Sequence, residues 1–232
     1  MKQNDKNRLT IYGTMISQPV RTVVAFCLLH NIPYEFKVIN LTKGEQNSEE
    51  FRKINPRSQI PAIKYIKDDG SDFYLDESAT IVRFLSAVYK TDEKWYPSIE
   101  KDVYRRAKID LYLDWHHLNT RQILSNAVFI RVMAQIMKKS GMNLKMEDTY
   151  EKIPGLFKFL NKFLEVTKYI VDNEMSIADI FLVNEINELK LLNYDLTPYK
   201  RLNQYVNEIN SLEVMETTNK DLNNMAKRVA KF

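Results

Sequence analysis

The chain has 232 residues, of which 44% are hydrophobic and 28% are charged, and its formal net charge is +4. This length allows one or two domains with buried cores, and the small, dispersed charge argues against a nucleic-acid surface, which needs clustered basic residues. A single cysteine excludes an internal disulfide and a metal site built from several cysteines. The polar amino terminus and the lack of a long apolar run lead us to expect a cytoplasmic protein without a membrane partner.

The first part of the chain alternates strand-like and helix-like segments. Residues 9–12 predict a strand that Gly13 closes. Ser17-Gln18-Pro19 then predicts a helix start, since a hydroxyl residue is favoured at the cap and proline is tolerated in the first turn. The following segments are predicted as a strand, a short helix, the two strands of a hairpin and a helix: 34–39, 48–54, 62–66 with 73–75, and 78–89. The order β-α-β-α-β-β-α indicates a small sheet covered by helices, like a thioredoxin fold.

Ile60-Pro61-Ala62 stands where the third strand begins. Proline cannot donate a ladder hydrogen bond, and a cis Ile60-Pro61 bond would turn the chain and leave the N–H and C=O of Ile60 facing outward. An extended peptide could pair with them as an added strand. Glu77-Ser78, at the start of the next helix, could offer a carboxylate and hydrogen-bond donors to a charged amino-acid end. These residues predict a site for a small peptide.

The second part of the chain has no comparable strand signals. After a predicted linker at residues 94–97, the sequence reads as helical from Asp102 onward. Ser176 and Asp179 predict a helix start in which the serine caps the helix and the carboxylate completes a capping box. The sequence therefore predicts an all-helical second domain.

In their order and spacing, motifs from both parts resemble a cytosolic glutathione transferase, most similar to the theta class. The resemblance runs from Leu9 to the last helix. It implies an α/β thioredoxin-like glutathione-binding domain over residues 8–90, followed by an all-α domain over residues 99–232 that contributes the electrophile pocket. The motifs are Ser17-Gln18-Pro19 with Arg21, Ile60-Pro61-Ala62, Glu77-Ser78, Trp95-Tyr96-Pro97, Trp115-His116, and Ser176 to Asp179.

The resemblance implies an enzyme that uses glutathione as its co-substrate and needs no metal. Such enzymes lower the pKa of the glutathione thiol, so that the thiolate attacks an apolar electrophile such as an alkyl or aryl halide, an epoxide or a hydroperoxide. A free thiol titrates near ~8.5, and a decrease of about two units, or roughly 2.7 kcal/mol, makes most of it nucleophilic at pH 7. The family also implies a homodimer that acts in detoxification, with peroxidase or dehalogenase side activities.

By resemblance, Ser17 stabilises the thiolate and Arg121, on the long helix, places a cation near the sulfur. The alternative for Ser17 is a plain helix cap, and the alternative for Arg121 is a solvated surface side chain. We expect Tyr12 to pack inside the sheet rather than donate its hydroxyl to the sulfur. Cys27 falls on the apolar stripe of the first helix, so we expect it in the core.

The resemblance assigns the other parts of glutathione that the protein must recognise to other residues. Glu77-Ser78 meets the γ-glutamyl end, and the cysteinyl backbone pairs with Ile60. The glycine carboxylate falls to Gln46 and Gln59, where the theta pattern commonly has a histidine and a lysine.

The two glutamines weaken this end of the predicted site. An amide donates hydrogen bonds but carries no charge, so charge assistance of about 1–2 kcal/mol is missing. Lys43 or Arg57 could compensate. The glutamines also support an alternative function, in which the chain is a non-catalytic protein of transferase fold that serves binding or assembly.

Overall fold

The computed structural model describes residues 8–133 and 147–229. The chain divides into two compact units between Thr91 and Asp92. The first unit combines a four-stranded sheet with helices, and the described residues of the second unit form helices and turns. The predicted fold class, a thioredoxin-like α/β domain followed by an all-α domain, is therefore confirmed.

The sheet of the first unit has the strand order β2-β1-β3-β4. Strand β1 pairs in parallel with β2 and antiparallel with β3, and β3 pairs antiparallel with β4. The strands and helices follow the predicted order and differ from the predicted bounds only at their termini. They are β1 Leu9–Gly13, α1 Gln18–Leu29, β2 Glu35–Val38, α2 Glu49–Ile54, β3 Ala62–Ile66, β4 Asp72–Asp76 and α3 Ser78–Tyr89.

Helix α1 is buried along most of its length, and its predicted apolar stripe, which includes Val20, Val23, Val24 and Cys27, lies in the core. Gly13, at the end of β1, lies against this helix. A Cβ atom at Gly13 would lie 2.6 Å from Cγ2 of Val20, so the close approach of strand and helix requires glycine. Burial raises the pKa of the Cys27 thiol.

The second unit begins with a packed segment. Trp95 and Tyr96, which the sequence analysis places in a linker, are 8% and 1% exposed. The carbonyl of Trp95 accepts a hydrogen bond from the N–H of Ile177 at 2.9 Å, and the hydroxyl of Tyr96 donates to Asp110 at 2.8 Å. The segment packs within the second unit because burying its two aromatic rings is energetically favourable.

Helices make up most of the described part of the second unit. The first of them, α4, begins before the predicted start at Asp102, where the backbone is kinked (φ −157°, ψ 86°). No helix within residues 8–133 and 147–229 is long and apolar enough to cross a membrane. The helices are α4 Ile99–Trp115, α5 Thr120–Val128, α6 Ile153–Val166, α7 Ile177–Asn187, α8 Lys200–Asn210, α9 Glu213–Thr218 and α10 Lys220–Val229.

The predicted capping box at the start of α7 is confirmed, and it belongs to a larger buried cluster. The carboxylate of Asp179 accepts hydrogen bonds from the N–H of Ser176 at 2.7 Å, the N–H of Ile170 at 2.9 Å and the hydroxyl of Tyr205 at 2.7 Å. Burial raises the pKa of Asp179, and the hydrogen bonds that its carboxylate accepts oppose part of that increase.

A second buried polar cluster joins α7 to the turn between α4 and α5. Nδ1 of His116 lies 2.6 Å from Oε1 of Glu185, and the hydroxyl of Thr120 donates to Oε2 of the same carboxylate at 2.6 Å. All three side chains are fully buried. Buried polar groups need such hydrogen-bond partners, so the cluster fixes the position of α7 relative to α5.

Candidate functional site

The strand register brings four chain segments to one edge of the sheet. Strands β1 and β2 end at this edge, β4 also ends there, and β3 begins there. In open α/β sheets, ligands bind outside the carboxyl ends of parallel strands, which is the position of this edge for β1 and β2. The residue pairs that define it are Gly13 with Val38, Tyr12 with Ala62, and Ala62 with Asp76.

The predicted site residues of the first unit follow from this register. Ser17 lies in the segment after β1 and Gln46 in the segment after β2. Ile60 directly precedes the start of β3, and Glu77-Ser78 directly follows β4. The register therefore places all these segments at the same end of the sheet.

Ser17 is the N-cap residue of α1, with an extended backbone (φ −73°, ψ 124°). Its N–H donates to the carbonyl of Thr14 at 2.9 Å, and its carbonyl accepts from the N–H of Arg21 at 3.1 Å. Its side chain makes no capping hydrogen bond, and Pro19 in the first turn has no N–H to be capped. The plain-cap alternative is therefore wrong for the hydroxyl, which lies half-buried at the positive end of a helix dipole.

Arg21 supports the turn that carries Ser17. Its guanidinium is fully buried, which is rare for arginine unless it is paired. Nη1 donates to the carbonyl of Ile16 at 2.6 Å and to that of Met15 at 3.3 Å. Arg21 was identified from the sequence only as part of a motif, although an arginine among the apolar positions of α1 was a signal for such a role.

The Ile60-Pro61 peptide bond is cis. The N–H and C=O of Ile60 make no backbone hydrogen bond to any residue in the described ranges 8–133 and 147–229. The side chain of Ile60 packs against the buried cluster of Tyr12, Phe51 and Ala62. The packing of its side chain thus holds Ile60 in place, while its N–H and C=O remain available to a ligand.

The loop that leads to Ile60 is organised by Asn55, a residue that sequence reasoning used only as a helix stop. Asn55 is buried, and its Nδ2 donates to the carbonyl of Gln59 at 2.8 Å. Its Oδ1 accepts from the N–H of Arg57 at 3.0 Å, and its carbonyl accepts from the N–H of Ser58 at 2.9 Å. The Asn-Pro pair was the available signal, because asparagine side chains commonly bond to the backbone of a following turn.

Glu77 has a positive φ (φ 65°, ψ 109°) at the N-cap position of α3. Such a conformation is unfavourable for a residue with a side chain, and strained backbone of this kind clusters at functional sites. The side chain of Glu77 is exposed, whereas Ser78 is 2% exposed. A carboxylate and a helix start are therefore presented together at the edge.

Gln46 and Gln59 differ in their surroundings. Gln46 lies in the 3₁₀ turn Glu45–Asn47, and its buried Oε1 has no hydrogen-bond partner in the described part of the chain. Gln59 is exposed. Arg57, one of the two cations that could compensate for the glutamines, is bound by Asp76 through Nε at 2.8 Å and through Nη2. Lys43, the other, is exposed.

Tyr12 is a packing residue, as expected. Its side chain is 7% exposed, and its ring lies edge-on to that of Phe51 with the centroids 6.3 Å apart. Burial raises the pKa of the Tyr12 hydroxyl, and the negative charges of Glu35 and Asp72 raise it further. The hydroxyl therefore stays protonated at neutral pH.

The predicted position of Arg121 on the long helix is wrong, because α4 ends at Trp115 and a 3₁₀ turn follows over His116–Leu118. Arg121 lies in the first turn of α5, in the second unit, and its side chain is half-buried. Its role near the thiolate stays a prediction. Within residues 8–133 and 147–229, no group of three or more histidine, cysteine, aspartate or glutamate side chains is placed to hold a metal ion.

This architecture, a mixed four-stranded sheet with helices followed by a helical unit, is that of the glutathione transferases. Two family models match the sequence: the glutathione S-transferase N-terminal domain over residues 17–88 and the glutathione S-transferase C-terminal domain over residues 129–217. The chain belongs to the glutathione S-transferase family.

Curated relatives place the resemblance in the theta class. Glutathione S-transferase theta-3 of Mus musculus is 32% identical over 180 residues, which cover 77% of this chain and 71% of that protein. Glutathione S-transferase theta-1 of Homo sapiens is 31% identical over 180 residues, which cover 77% of this chain and 72% of that protein. The predicted similarity to theta-class proteins is confirmed.

Solved structures agree with this assignment. The human theta-class glutathione transferase in complex with the glutathione conjugate of 1-menaphthyl sulfate has a TM-score of 0.83 and 26% identity, covering 97% of this chain and 91% of that one. Glutathione Transferase E6 from Drosophila melanogaster has a TM-score of 0.78 and 27% identity, covering 97% of each chain.

Proposed function

We propose that this protein is an enzyme that binds glutathione at the sheet edge and uses Ser17 to stabilise the glutathione thiolate. The observation that carries the proposal is the state of the Ser17 hydroxyl, which lies at the start of α1 without capping the helix. An anion at this point would meet both a hydroxyl donor and the positive end of the helix dipole.

The proposed chemistry has two steps. The thiol of bound glutathione loses its proton to solvent, and the hydroxyl of Ser17 donates a hydrogen bond to the resulting thiolate. The hydroxyl and the helix start contribute about 1–2 kcal/mol each, enough to lower the thiol pKa by about two units. With a halide, the thiolate attacks carbon, a carbon–sulfur bond forms, and the halide departs with the electron pair of the bond that breaks. With an epoxide, the same attack opens the ring, and the ring oxygen keeps the electron pair and takes a proton from water. With a hydroperoxide, the thiolate attacks oxygen, the O–O bond breaks to release an alcohol, and a second glutathione converts the resulting sulfenic acid to the disulfide and water.

Other residues of the edge would hold the peptide. The unused N–H and C=O of Ile60 suit pairing with the cysteinyl backbone, as in the addition of a strand to a sheet. The carboxylate of Glu77 suits the ammonium of the γ-glutamyl end, with Ser78 beside it. Gln46 and Gln59 would meet the glycine end, where their amide Nε2 groups would donate hydrogen bonds to the carboxylate.

The structure of the human theta-class relative with a glutathione conjugate supports glutathione as the co-substrate. We extend the proposal to an apolar electrophile (an alkyl or aryl halide, an epoxide or a hydroperoxide), to peroxidase or dehalogenase side activities, and to Arg121 as a cation near the sulfur. We also propose that the protein is a cytoplasmic homodimer that acts in detoxification.

The test is an ultraviolet titration of bound glutathione across pH, with the conjugation rate measured in parallel. We expect the thiolate band to appear well below the pH at which free glutathione forms it. Ser17→Ala should leave glutathione binding largely intact but lower the conjugation rate by about 10²-fold, because one hydrogen bond to the thiolate is lost.

Ser98→Ala is the matched control. Ser98 is also an N-cap residue without a side-chain capping bond, at the start of α4, so its removal should change neither the thiolate band nor the rate. An unchanged rate in Ser17→Ala would remove Ser17 from the mechanism. Binding of glutathione without a lowered thiol pKa would instead indicate the non-catalytic binding or assembly protein.

A further inference from the structure

An ion pair at the edge of the sheet joins two segments that the proposed function uses separately. Nε of Arg57 donates to Oδ2 of Asp76 at 2.8 Å, and Nη2 donates to Oδ1 of the same carboxylate. Arg57 lies in the loop that leads to Gln59 and Ile60. Asp76 is the last residue of β4 and directly precedes Glu77. The pair therefore links the loop to the start of α3.

The geometry of this pair limits the positions that the loop can adopt. A two-point contact between guanidinium and carboxylate fixes orientation as well as distance. The side chain of Asp76 is 15% exposed and that of Arg57 is 61% exposed, so the carboxylate end is sheltered from solvent and counterions. The hydrogen bonds of Asn55 organise the loop internally, whereas the Arg57–Asp76 pair attaches it to another element.

We infer that Arg57 is a positioning residue whose ion pair with Asp76 holds the Gln59-Ile60 segment against the Glu77-Ser78 helix start. Ile60 would contact the middle of the peptide and Glu77 its amino end, so the pair sets the spacing between the two contacts. This inference rests on the proposed function. It also excludes Arg57 as the group that binds the glycine carboxylate, because Nε and Nη2 of its guanidinium already donate to Asp76.

The two roles of Arg57 predict opposite results. If Arg57 received the glycine carboxylate, Asp76→Asn would release the guanidinium and strengthen glutathione binding. If Arg57 positions the loop, Asp76→Asn removes the link and weakens binding. A second ligand, glutathione esterified at its glycine carboxyl group, separates the roles further, since a receptor for that carboxylate would distinguish the two ligands.

The experiment is calorimetric titration of both ligands into the wild type, Arg57→Gln, Asp76→Asn and the double variant. We expect each single variant to bind both ligands about 3- to 10-fold more weakly, and the double variant to be no weaker than the singles, as for side chains in direct contact. Arg57→Lys should restore only part of the affinity, because an ammonium cannot make the two-point contact. Melting temperatures should remain close to that of the wild type.

The control is Asp68→Asn, which removes the ion pair between Arg8 and Asp68 at 2.6 Å. That pair belongs to the same unit, and Asp68 lies in the β3–β4 turn, at the other end of the sheet. Loss of an exposed ion pair there should change the affinity for neither ligand.

Three outcomes would overturn the inference: stronger glutathione binding by Asp76→Asn, a loss in Arg57→Gln confined to unesterified glutathione, or additive losses in the double variant. Amide hydrogen exchange of residues 58–62 without ligand gives an independent measurement. Faster exchange in Arg57→Gln supports the link, and unchanged exchange overturns it. A wild type that binds neither ligand would overturn the proposed function, and with it the role in peptide positioning, even where exchange shows the link to be present.

Discussion

The edge of the sheet in the first unit and the start of α7 in the second unit use polar groups in opposite ways. At α7, Asp179 is buried and accepts hydrogen bonds from two backbone N–H groups and from Tyr205. At the edge, Ser17 and Ile60 are both partly exposed. Within the described ranges, the hydroxyl of Ser17 makes no capping hydrogen bond, and the N–H and C=O of Ile60 make no backbone hydrogen bond. Polar groups that satisfy one another stabilise a fold, whereas accessible groups held in place without partners are suited to a ligand.

The most severe test of this comparison is Asp179→Ala. The substitution leaves buried donors at Ile170, Ser176 and Tyr205 without an acceptor, so we expect the free energy of unfolding to decrease by about 3–5 kcal/mol. Urea denaturation at neutral pH measures the loss. Asp195→Ala is the control, because Asp195 also accepts an N–H and a hydroxyl, both from Thr197, but in an exposed turn.

For Asp195→Ala we expect a much smaller decrease, since water can pair with the freed donors. Equal losses in the two variants would contradict the view that burial makes the α7 cluster structural. Glutathione binding by the folded fraction of Asp179→Ala should be unchanged, because the residues proposed to hold the peptide all belong to the first unit.

Arg21→Met gives an intermediate effect and tests whether a buried side chain that donates to backbone carbonyls supports the turn at the edge. It removes two hydrogen bonds from a charged donor to the carbonyls of Met15 and Ile16, so stability should decrease by about 2–3 kcal/mol. The turn that carries Ser17 is released as well. We therefore expect the conjugation rate of the folded protein to decrease by about 10-fold, in line with the sensitivity of catalysis to small displacements.

The control for Arg21→Met is Arg201→Met. Arg201 also donates to two carbonyls, those of Leu164 at 2.9 Å and Lys168 at 2.7 Å, but in the second unit. It should lower stability without changing the rate per folded molecule. If both variants lowered the rate equally, the effect of Arg21 would be one of global stability rather than of the Ser17 turn.

Tyr12→Phe should have the smallest effect. The ring packs against Phe51, and burial together with the charges of Glu35 and Asp72 raises the pKa of the hydroxyl. A group whose pKa is raised keeps its proton until the pH is higher, so Tyr12 contributes no charge change between pH 6 and 9. We expect the pH–rate profile of Tyr12→Phe to superimpose on that of the wild type, within about 3-fold in rate. A displaced profile would assign the sulfur contact to Tyr12.

Sequence rules of short range predicted most of the fold and part of the edge. Ser17 followed two residues later by Pro19 marked the start of α1, and Ser176 with Asp179 marked the start of α7, because each pattern is complete within a few residues. Contacts between residues that are far apart in the sequence could not be predicted in this way. Arg57 and Asp76 are 19 positions apart, and His116 and Glu185 are 69 apart, and no local pattern connects the members of either pair.

The chain's single cysteine has a practical consequence. Under the proposed function, the protein would generate a nucleophilic thiolate and meet reactive electrophiles, so an accessible cysteine of its own would be at risk of alkylation. Cys27 is fully buried and its thiol pKa is raised, so it is neither accessible nor ionised. We therefore expect the protein to resist self-inactivation and the formation of mixed disulfides. A sulfhydryl titration of the native protein in the presence of glutathione should detect only the thiol of the added glutathione.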